Sequence, residues 1–359
     1  MKKFFCFLPY FSFGGAERTA INLCNYLTDN YEVYIIVLNT KNFPHHNLNK
    51  NINLISLKKK RLISSIFSLS YYLYKIKPHY FISFLYSTNV ISIISKIISL
   101  STTKLIFGVQ NNYFQTLKNA NSLKTSISLY LFKYSTLFCE KIITCSIGLK
   151  YEIKKISYKP NKVYHVYNPI IDKNFYSQSY KFDKDLNLFN TKKIKILSIC
   201  RFEKQKNVKF LISSFKKLNV NNKFKLFLIG NGSLLAELKS LCTKLKLNNS
   251  VFFLGNKKNV NIFLKKSDYF ILSSNWEGFG NVLVEALYFN NKVISSNCKF
   301  GPEEILKNGK LGKLFKINSS IKFNYQFSKF YYKKPIFKHD LKQYYALEVA
   351  QNYKKIIES

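Results

Sequence analysis

Two glutamates eight positions apart carry the most chemistry in this 359-residue chain. They lie in the run Ser273-Ser274-Asn275-Trp276-Glu277-Gly278-Phe279-Gly280-Asn281-Val282-Leu283-Val284-Glu285-Ala286-Leu287. An apolar strand pattern, Tyr269-Phe270-Ile271-Leu272, leads into the glycines, and Val282, Leu283, Ala286 and Leu287 then recur on one helical face. Asn281 suits the N-cap at that junction. A strand, a glycine loop and a helix start together favour an anion, because backbone N–H groups and the positive end of the helix dipole point outward. Gly278, Phe279, Gly280, Asn281 and Val282 supply that backbone. Helix side chains lean back toward the N-terminus, so Glu285, one turn in, presents its carboxylate beside the bound group, where it can accept from a ribose diol. The run reads as a nucleoside-diphosphate site. The alternative is an amphipathic helix carrying two solvated glutamates, a coincidence made scarce by only 18 acidic residues in the chain.

Lys and Arg number 57, so the net charge is +39. Only Arg18, Arg61 and Arg201 are arginines; the other 54 basic residues are lysines. A composition this rich in Lys, Asn and Ile turns tolerant basic positions into lysine, so a retained arginine hints that a planar, forked donor is needed. The charge fits an anionic membrane face, nonspecific nucleic-acid binding or a solvated surface without a partner, and it decides nothing alone. Cys6, Cys24, Cys139, Cys145, Cys200, Cys242 and Cys298 never form C-x-x-C and sit in apolar patterns, as small buried hydrophobes of a reducing compartment do. His45, His46, His79, His165 and His339 form no metal-ligand pair. Asp183-Lys184-Asp185 spells D-x-D, but no strand pattern flanks it and it reads as a chance match. The N-terminal run Phe4 to Phe13 imitates a signal peptide, yet Pro9 interrupts it and a helix pattern follows at once, so no cleavage is expected. Pro78 to Ser95 is uncharged but reads as strand, polar loop and helix start; no transmembrane helix is predicted.

These residues need a scaffold, and the chain supplies alternating strand and helix patterns. Apolar Lys3–Leu8 is a strand of the kind buried in a parallel sheet. Phe13-Gly14-Gly15-Ala16-Glu17-Arg18 turns into a helix with core face Ala16, Ala20, Cys24 and Leu27, and a strand at Glu32–Leu38 completes a βαβ unit. Gly14-Gly15 permits close backbone approach to a ligand, or serves a tight turn alone. Lys58-Lys59-Lys60-Arg61 precedes an apolar helix pattern from Leu62 to Ile76 (Ile63, Ile66, Phe67, Tyr71, Leu73, Tyr74), which suits either an interfacial membrane contact or a core helix with a solvated end. Strands follow at Phe81–Leu85 and from Lys104, the latter ending in Gln110-Asn111-Asn112, where parallel sheets bind ligands. Lys141–Ser146 and Val163–Ile170 are further strands. Residues 171–191 are polar and aperiodic, as a linker is. Lys195–Cys200 ends in Arg201-Phe202-Glu203-Lys204-Gln205-Lys206-Asn207; Lys223–Gly230, Val251–Gly255 and Lys292–Ser296 are strands. Residues 321–339 lack a clear period. A last helix spans Lys342 to Ile357, with apolar Tyr345, Leu347, Ala350 and Ile356.

Four motifs in order, Gly14-Gly15-Ala16-Glu17-Arg18, Arg201-x4-Lys206-Asn207, Glu277-x7-Glu285 with its inner Gly278-Phe279-Gly280-Asn281-Val282-Leu283-Val284, and Gly301-Pro302-Glu303-Glu304-Ile305-Leu306, resemble the retaining glycosyltransferases of family 4 over nearly the whole chain. The resemblance implies an α/β protein of the GT-B fold: two doubly wound Rossmann-like domains facing a central cleft, an acceptor-side domain at 1–170, a linker at 171–191, a nucleotide-sugar domain at 192–335 and a terminal helix at 336–359 crossing back to the first domain. It further implies transfer of a hexose or N-acetylhexosamine from a UDP-sugar to a glycan or polyprenyl-diphosphate-linked acceptor, as in building O-antigen, capsule or lipopolysaccharide core. The nucleotide-sugar is a co-substrate, and neither a metal nor another cofactor is expected. Arg201 and Lys206 would hold the diphosphate, Glu277 the sugar hydroxyls and Glu285 the ribose. Gly15 would approach the diphosphate or sugar, and backbone near Gly230 the base. The chain departs from the pattern at Gln110, where many relatives carry histidine, and at Cys200, where glycine is usual; Gln110 could still hydrogen-bond an acceptor hydroxyl. A cytoplasmic enzyme peripheral to the anionic inner face of a membrane is expected, with no nucleic-acid partner. A nucleotide-sugar epimerase of the same fold, an inactive partner subunit and a basic nucleic-acid binder are the alternatives.

Overall fold

Near-continuous apolar runs mark strands covered on both faces, and a computed structural model covering residues 1–10, 14–40, 48–120, 122–175, 177, 183–331 and 340–359 shows parallel sheets built from them. Phe13, His45, His46, His339 and much of 321–339 and 171–191 (332–339, 176 and 178–182) lie outside the described residues. The chain divides into two compact units, Met1–Asp172 with Lys342–Ser359, and Lys173–Leu341.

The first unit contains β1 (Lys2–Leu8), α1 (Gly15–Leu27), β2 (Tyr31–Val37), β3 (Asn53–Ser56), α2 (Ile66–Ile76), β4 (Tyr80–Ser83), α3 (Tyr86–Ile98), β5 (Lys104–Val109), α4 (Tyr113–Lys118), α5 (Leu123–Ser135), β6 (Lys141–Thr144), α6 (Ile147–Ile156) and β7 (Val163–His165). Among the described residues seven strands pair in parallel in the order β3-β2-β1-β4-β5-β6-β7, so chain direction across the sheet reverses between β1 and β4. One face packs Phe4, Cys6 and Ile35 against Ala20 and Cys24 of α1; the other packs Phe5, Phe81 and Phe107 against Leu69 and Leu73 of α2 and Phe132 of α5.

The second unit contains β8 (Ile194–Ile199), α7 (Val208–Leu218), β9 (Phe224–Ile229), α8 (Leu235–Lys244), β10 (Val251–Gly255), α9 (Asn261–Lys266), β11 (Tyr269–Leu272), α10 (Asn281–Tyr288), β12 (Lys292–Ser296), α11 (Pro302–Ile305), β13 (Lys313–Phe315) and α12 (Ser320–Tyr331). Among the described residues six parallel strands run β10-β9-β8-β11-β12-β13, and the reversal falls between β8 and β11. The segment read as a linker is packed where it is described: Phe189 stacks on Phe227 at 4.0 Å between ring centroids, and Lys257 holds both Asp183, at 2.9 Å, and Asp185. That ion cluster gives the D-x-D its structural role.

The last helix, α13 (Ala346–Glu358), belongs to the first unit. It buries Val349, Ala350, Tyr353 and Ile357 in the α1 core and is tied by Tyr31 Oη donating to Glu358 Oε1 at 2.8 Å. Of the apolar residues read from sequence, Ala350 and Ile356 pack into this core, while Tyr345 and Leu347 are exposed.

Candidate functional site

Ligands of doubly wound sheets bind beyond the strand carboxyl ends where chain order reverses, and in the second unit those ends belong to β8 and β11. The loop after β8 carries Arg201 and Lys206; the loop after β11 carries Ser273 to Gly280. Side chains stitch the two loops together. Ser273 Oγ donates to the Lys206 carbonyl at 2.9 Å, Asn275 Nδ2 to the Lys204 carbonyl at 2.9 Å, and Gln205 Nε2 to the Trp276 carbonyl at 3.0 Å. Asn207 sits in the left-handed region (φ 50°) that asparagine tolerates, which turns the chain from the β8 loop into α7.

At the centre of this stitching Lys206 Nζ donates to Glu277 Oε1 at 2.5 Å, and Ser274 Oγ donates to the same oxygen at 2.6 Å. Glu277 is 5% exposed. Among the described residues Oε2 accepts no hydrogen bond, which leaves one carboxylate oxygen for a ligand. Arg201 is exposed and makes no ion pair among the described residues. Arg201, Lys206 and Glu277 all lie within electrostatic reach of the Cys200 thiol, which burial pushes up to about 11. The three side chains thus share one neighbourhood, and Cys200 is a half-buried, protonated wall of it.

Glu285 is also 5% exposed, in a run of five consecutive buried residues, Leu283 to Leu287. Both glutamates are therefore enclosed, which rules out the pair of solvated acids. The N-cap assignment is corrected: Gly280 takes the cap position at φ 99°, ψ 55°, and Asn281 is the first helical residue. Only glycine reaches that left-handed cap without strain, so the backbone, not an asparagine side chain, sets the entry of α10. Gly278, Phe279 and Val282 lie in the same turn.

Gly230, at the end of β9, has φ 137°, and a Cβ there would stand 1.9 Å from the Cys200 carbonyl oxygen. This close approach seats the β9 turn against the β8 end. Glu203, which sequence reading passed over, completes the seat: Ser233 N and Ser233 Oγ donate to its two oxygens at 2.9 and 2.7 Å. Those bonds from the Ser233 backbone and hydroxyl hold the Glu203 carboxyl below its usual range. The missed signal was an acidic residue, rare in this chain, inside the basic β8 loop.

In the first unit, Gly14 caps α1 and Gly15 is its exposed first residue. Gln110, beyond β5, forms a reciprocal amide pair with buried Asn168: Gln110 Nε2 donates to Asn168 Oδ1 at 3.0 Å and Asn168 Nδ2 donates to Gln110 Oε1 at 2.9 Å. The Gln110 amide carries a second N–H besides the one given to Asn168. The neighbouring backbone is fixed by Asn112 capping α4 (2.8 Å to Gln115 N) and by Glu152 accepting from Tyr113 N at 2.5 Å. Ser146 caps α6 through Leu149 N. Among the described residues no three His, Cys, Asp or Glu side chains gather as a metal site requires, and no helix is long and apolar enough to cross a membrane.

Known proteins share this fold. HepE of Anabaena, solved in complex with UDP-glucose, matches the fold with a TM-score of 0.76 at 17% identity, covering 100% of this chain and 95% of that one. The fold is thus that of GT-B glycosyltransferases. Residues 13–173 match the family described as Glycosyltransferase Family 4, and residues 179–346 match Glycosyl transferases group 1. An uncharacterized glycosyltransferase of Methanocaldococcus jannaschii is 36% identical over 221 residues, 60% of this chain and 53% of that protein, so the match spans about half the relative's length. The N-acetylgalactosamine-N,N'-diacetylbacillosaminyl-diphospho-undecaprenol 4-alpha-N-acetylgalactosaminyltransferase of Campylobacter jejuni is 28% identical over 340 residues, 89% of this chain and 87% of that protein. The chain belongs to the family 4, group 1 glycosyltransferases.

Proposed function

We propose that the chain moves a hexose or N-acetylhexosamine from a UDP-sugar to a hydroxyl of a lipid-linked saccharide, with retention at the anomeric carbon, at the cytoplasmic face of a membrane. The observation that carries this reading is the meeting of Arg201, Lys206 and enclosed Glu277 at the β8/β11 reversal. The Anabaena relative was solved with UDP-glucose, and the Campylobacter relative is named for a diphospho-undecaprenol-linked acceptor; both support the substrate classes.

The chemistry follows from charge. As the sugar–phosphate bond breaks, negative charge builds on the leaving diphosphate. Arg201 meets it as a fork and Lys206 as a point charge, and fixed cations of this kind stabilise a transition state more than a ground state. Before donor binding Glu277 neutralises Lys206. The diphosphate competes for that ammonium, and Glu277 turns to accept from sugar hydroxyls. Backbone from Gly278 to Val282 faces the phosphates, Glu285 accepts from the ribose diol, and the turn at Gly230 meets the base. In the first unit Gly14 and Gly15 allow close approach of the sugar. Gln110 does not titrate near neutral pH, so it hydrogen-bonds the acceptor hydroxyl rather than serving as base. The acceptor oxygen attacks the anomeric carbon on the face the phosphate leaves, and the leaving phosphate oxygen takes the hydroxyl proton. The scheme assigns the charge balance to Arg201 and Lys206 and draws on no metal.

The test is a panel of UDP-sugars with a polyprenyl-diphosphate-linked saccharide, the product's anomeric configuration being read by NMR. One donor should be consumed only with acceptor, giving a retained linkage, and Lys206→Ala should lower turnover by about tenfold or more. Conversion of a donor to its epimer without acceptor would replace the reading with an epimerase, and unchanged turnover would remove Lys206 from its role.

A further inference from the structure

The helix α2 has two apolar faces. Leu69 and Leu73 are buried against the sheet, while Phe67, Tyr71 and Tyr74, with Ile63 in the turn just before the helix, are 76%, 55%, 67% and 73% exposed. Their spacing of four, four and three places them along one outward stripe. The neighbouring helices repeat the feature: α3 ends in exposed Ile97 and Ile98, and α5 exposes Leu123, Ile127, Tyr130 and Tyr134. These three helices lie side by side over one face of the first sheet, α2 packing on α3 and α3 on α5. Beside α2, Ser56, Leu57, Lys58, Phe67, Tyr71 and Tyr72 line an open groove of about 500 Å³.

The charge of this region is one-sided. From Val33 to Cys139 the chain has 12 lysines and one arginine but not a single Asp or Glu. At the chain-wide density of acidic residues about five would fall there, so the lysine-rich composition does not explain their absence. Lys58, Lys59, Lys60 and Arg61 precede the short turn that leads into α2, and Lys75 and Lys77 close its other end. Exposed tyrosines on an apolar stripe, flanked by lysines in a sequence stretch without Asp or Glu, match the layering of a bilayer surface: anionic headgroups outside, acyl methylenes beneath, amphipathic rings between. A nucleic acid would be served by the lysines but would leave the Ile and Leu side chains without purpose.

We infer that the α2–α3–α5 face of the first unit is a docking surface for an anionic phospholipid bilayer, with Phe67, Tyr71 and Tyr74 entering the headgroup layer and Lys58–Arg61 pairing with lipid phosphates. This deepens the reading of a lipid-linked acceptor and rests on it for its purpose, but its test does not depend on activity. The full chain is sedimented with vesicles of phosphatidylcholine alone and of phosphatidylcholine with phosphatidylglycerol, at low and high salt. Binding should require phosphatidylglycerol and weaken with salt. The double variant Phe67→Ser/Tyr71→Ser and the triple variant Lys58→Gln/Lys59→Gln/Lys60→Gln should each lower the partition coefficient by about tenfold or more. An equal charge change at exposed Lys216, Lys239 and Lys244 of the second unit should leave it within about twofold. Loss through the second-unit lysines alone, no vesicle binding, or a dimer that Phe67→Ser/Tyr71→Ser dissociates would each overturn the inference. UDP binding measured on the wild type separates the two readings: no vesicle binding with UDP bound sinks this inference only, and vesicle binding without UDP binding sinks only the transferase site.

Discussion

Glu277 and Lys206 are 71 positions apart in sequence, yet their charged atoms touch. No spacing rule connects them, and only the order β8 beside β11 does. The residue types were legible: the scarcity of acids and of arginine made Glu277, Glu285 and Arg201 stand out, and the structure encloses both glutamates. Partners were not legible, because Ser274, Asn168 and Glu203 matter through contacts that depend on the completed sheets. Glu203 offers a prediction at this scale. Its folded carboxyl is depressed by Ser233, so its stabilising share is full above the unfolded carboxyl range of about 4.3 and is lost as pH falls through the lower folded value. The stability gap between the wild type and Glu203→Gln should therefore be constant near neutral pH and close below about pH 4. Chemical denaturation at stepped pH checks it, and a gap that widens on acidification would contradict the Ser233 seat.

Among elements, strands read most clearly, because full burial in parallel sheets leaves uninterrupted apolar runs such as Tyr269–Leu272. Short β3 and β13 escaped, being edge strands of four and three residues with partly polar sequence. Helix faces were harder. In α13 aromatic and aliphatic residues occur all round, and only docking on α1 selects Val349, Tyr353 and Ile357 over Tyr345 and Leu347. In α2 the same abundance left an interfacial helix and a core helix equally readable, and the structure exposes Phe67, Tyr71 and Tyr74 while burying Leu69 and Leu73. The start of α10 was misplaced by one residue because a glycine in the left-handed region caps as well as an asparagine side chain. If α13 is integral to the first core, Tyr353→Ala, which empties a site 1% exposed, should lower the unfolding free energy of that unit by about 3–5 kcal/mol. Denaturant unfolding measures it, and a change below about 1 kcal/mol would mean that the helix is peripheral.

At the scale of the whole molecule the two units divide the chemistry. The second unit carries Arg201, Lys206, Glu277, Glu285 and Gly230, while the first carries Gly14, Gly15, Gln110 and the acid-free stretch with its exposed aromatic stripe. A net charge of +39 is uninformative as a sum and informative once its distribution is seen. The fold type was legible because motif order survives composition bias; the donor and acceptor are not, since sugar identity rests on a few contacts that no spacing encodes. The account depends above all on a diphosphate being gripped by Arg201 and Lys206. Calorimetric titration of UDP and of uridine into the full chain, the Arg201→Ala variant and the Lys206→Ala variant tests this directly. UDP should bind the wild type and each variant about tenfold or more weakly, a loss of about 1.4 kcal/mol, while uridine affinity stays level. UDP affinity unmoved by either substitution in folded protein would contradict the account.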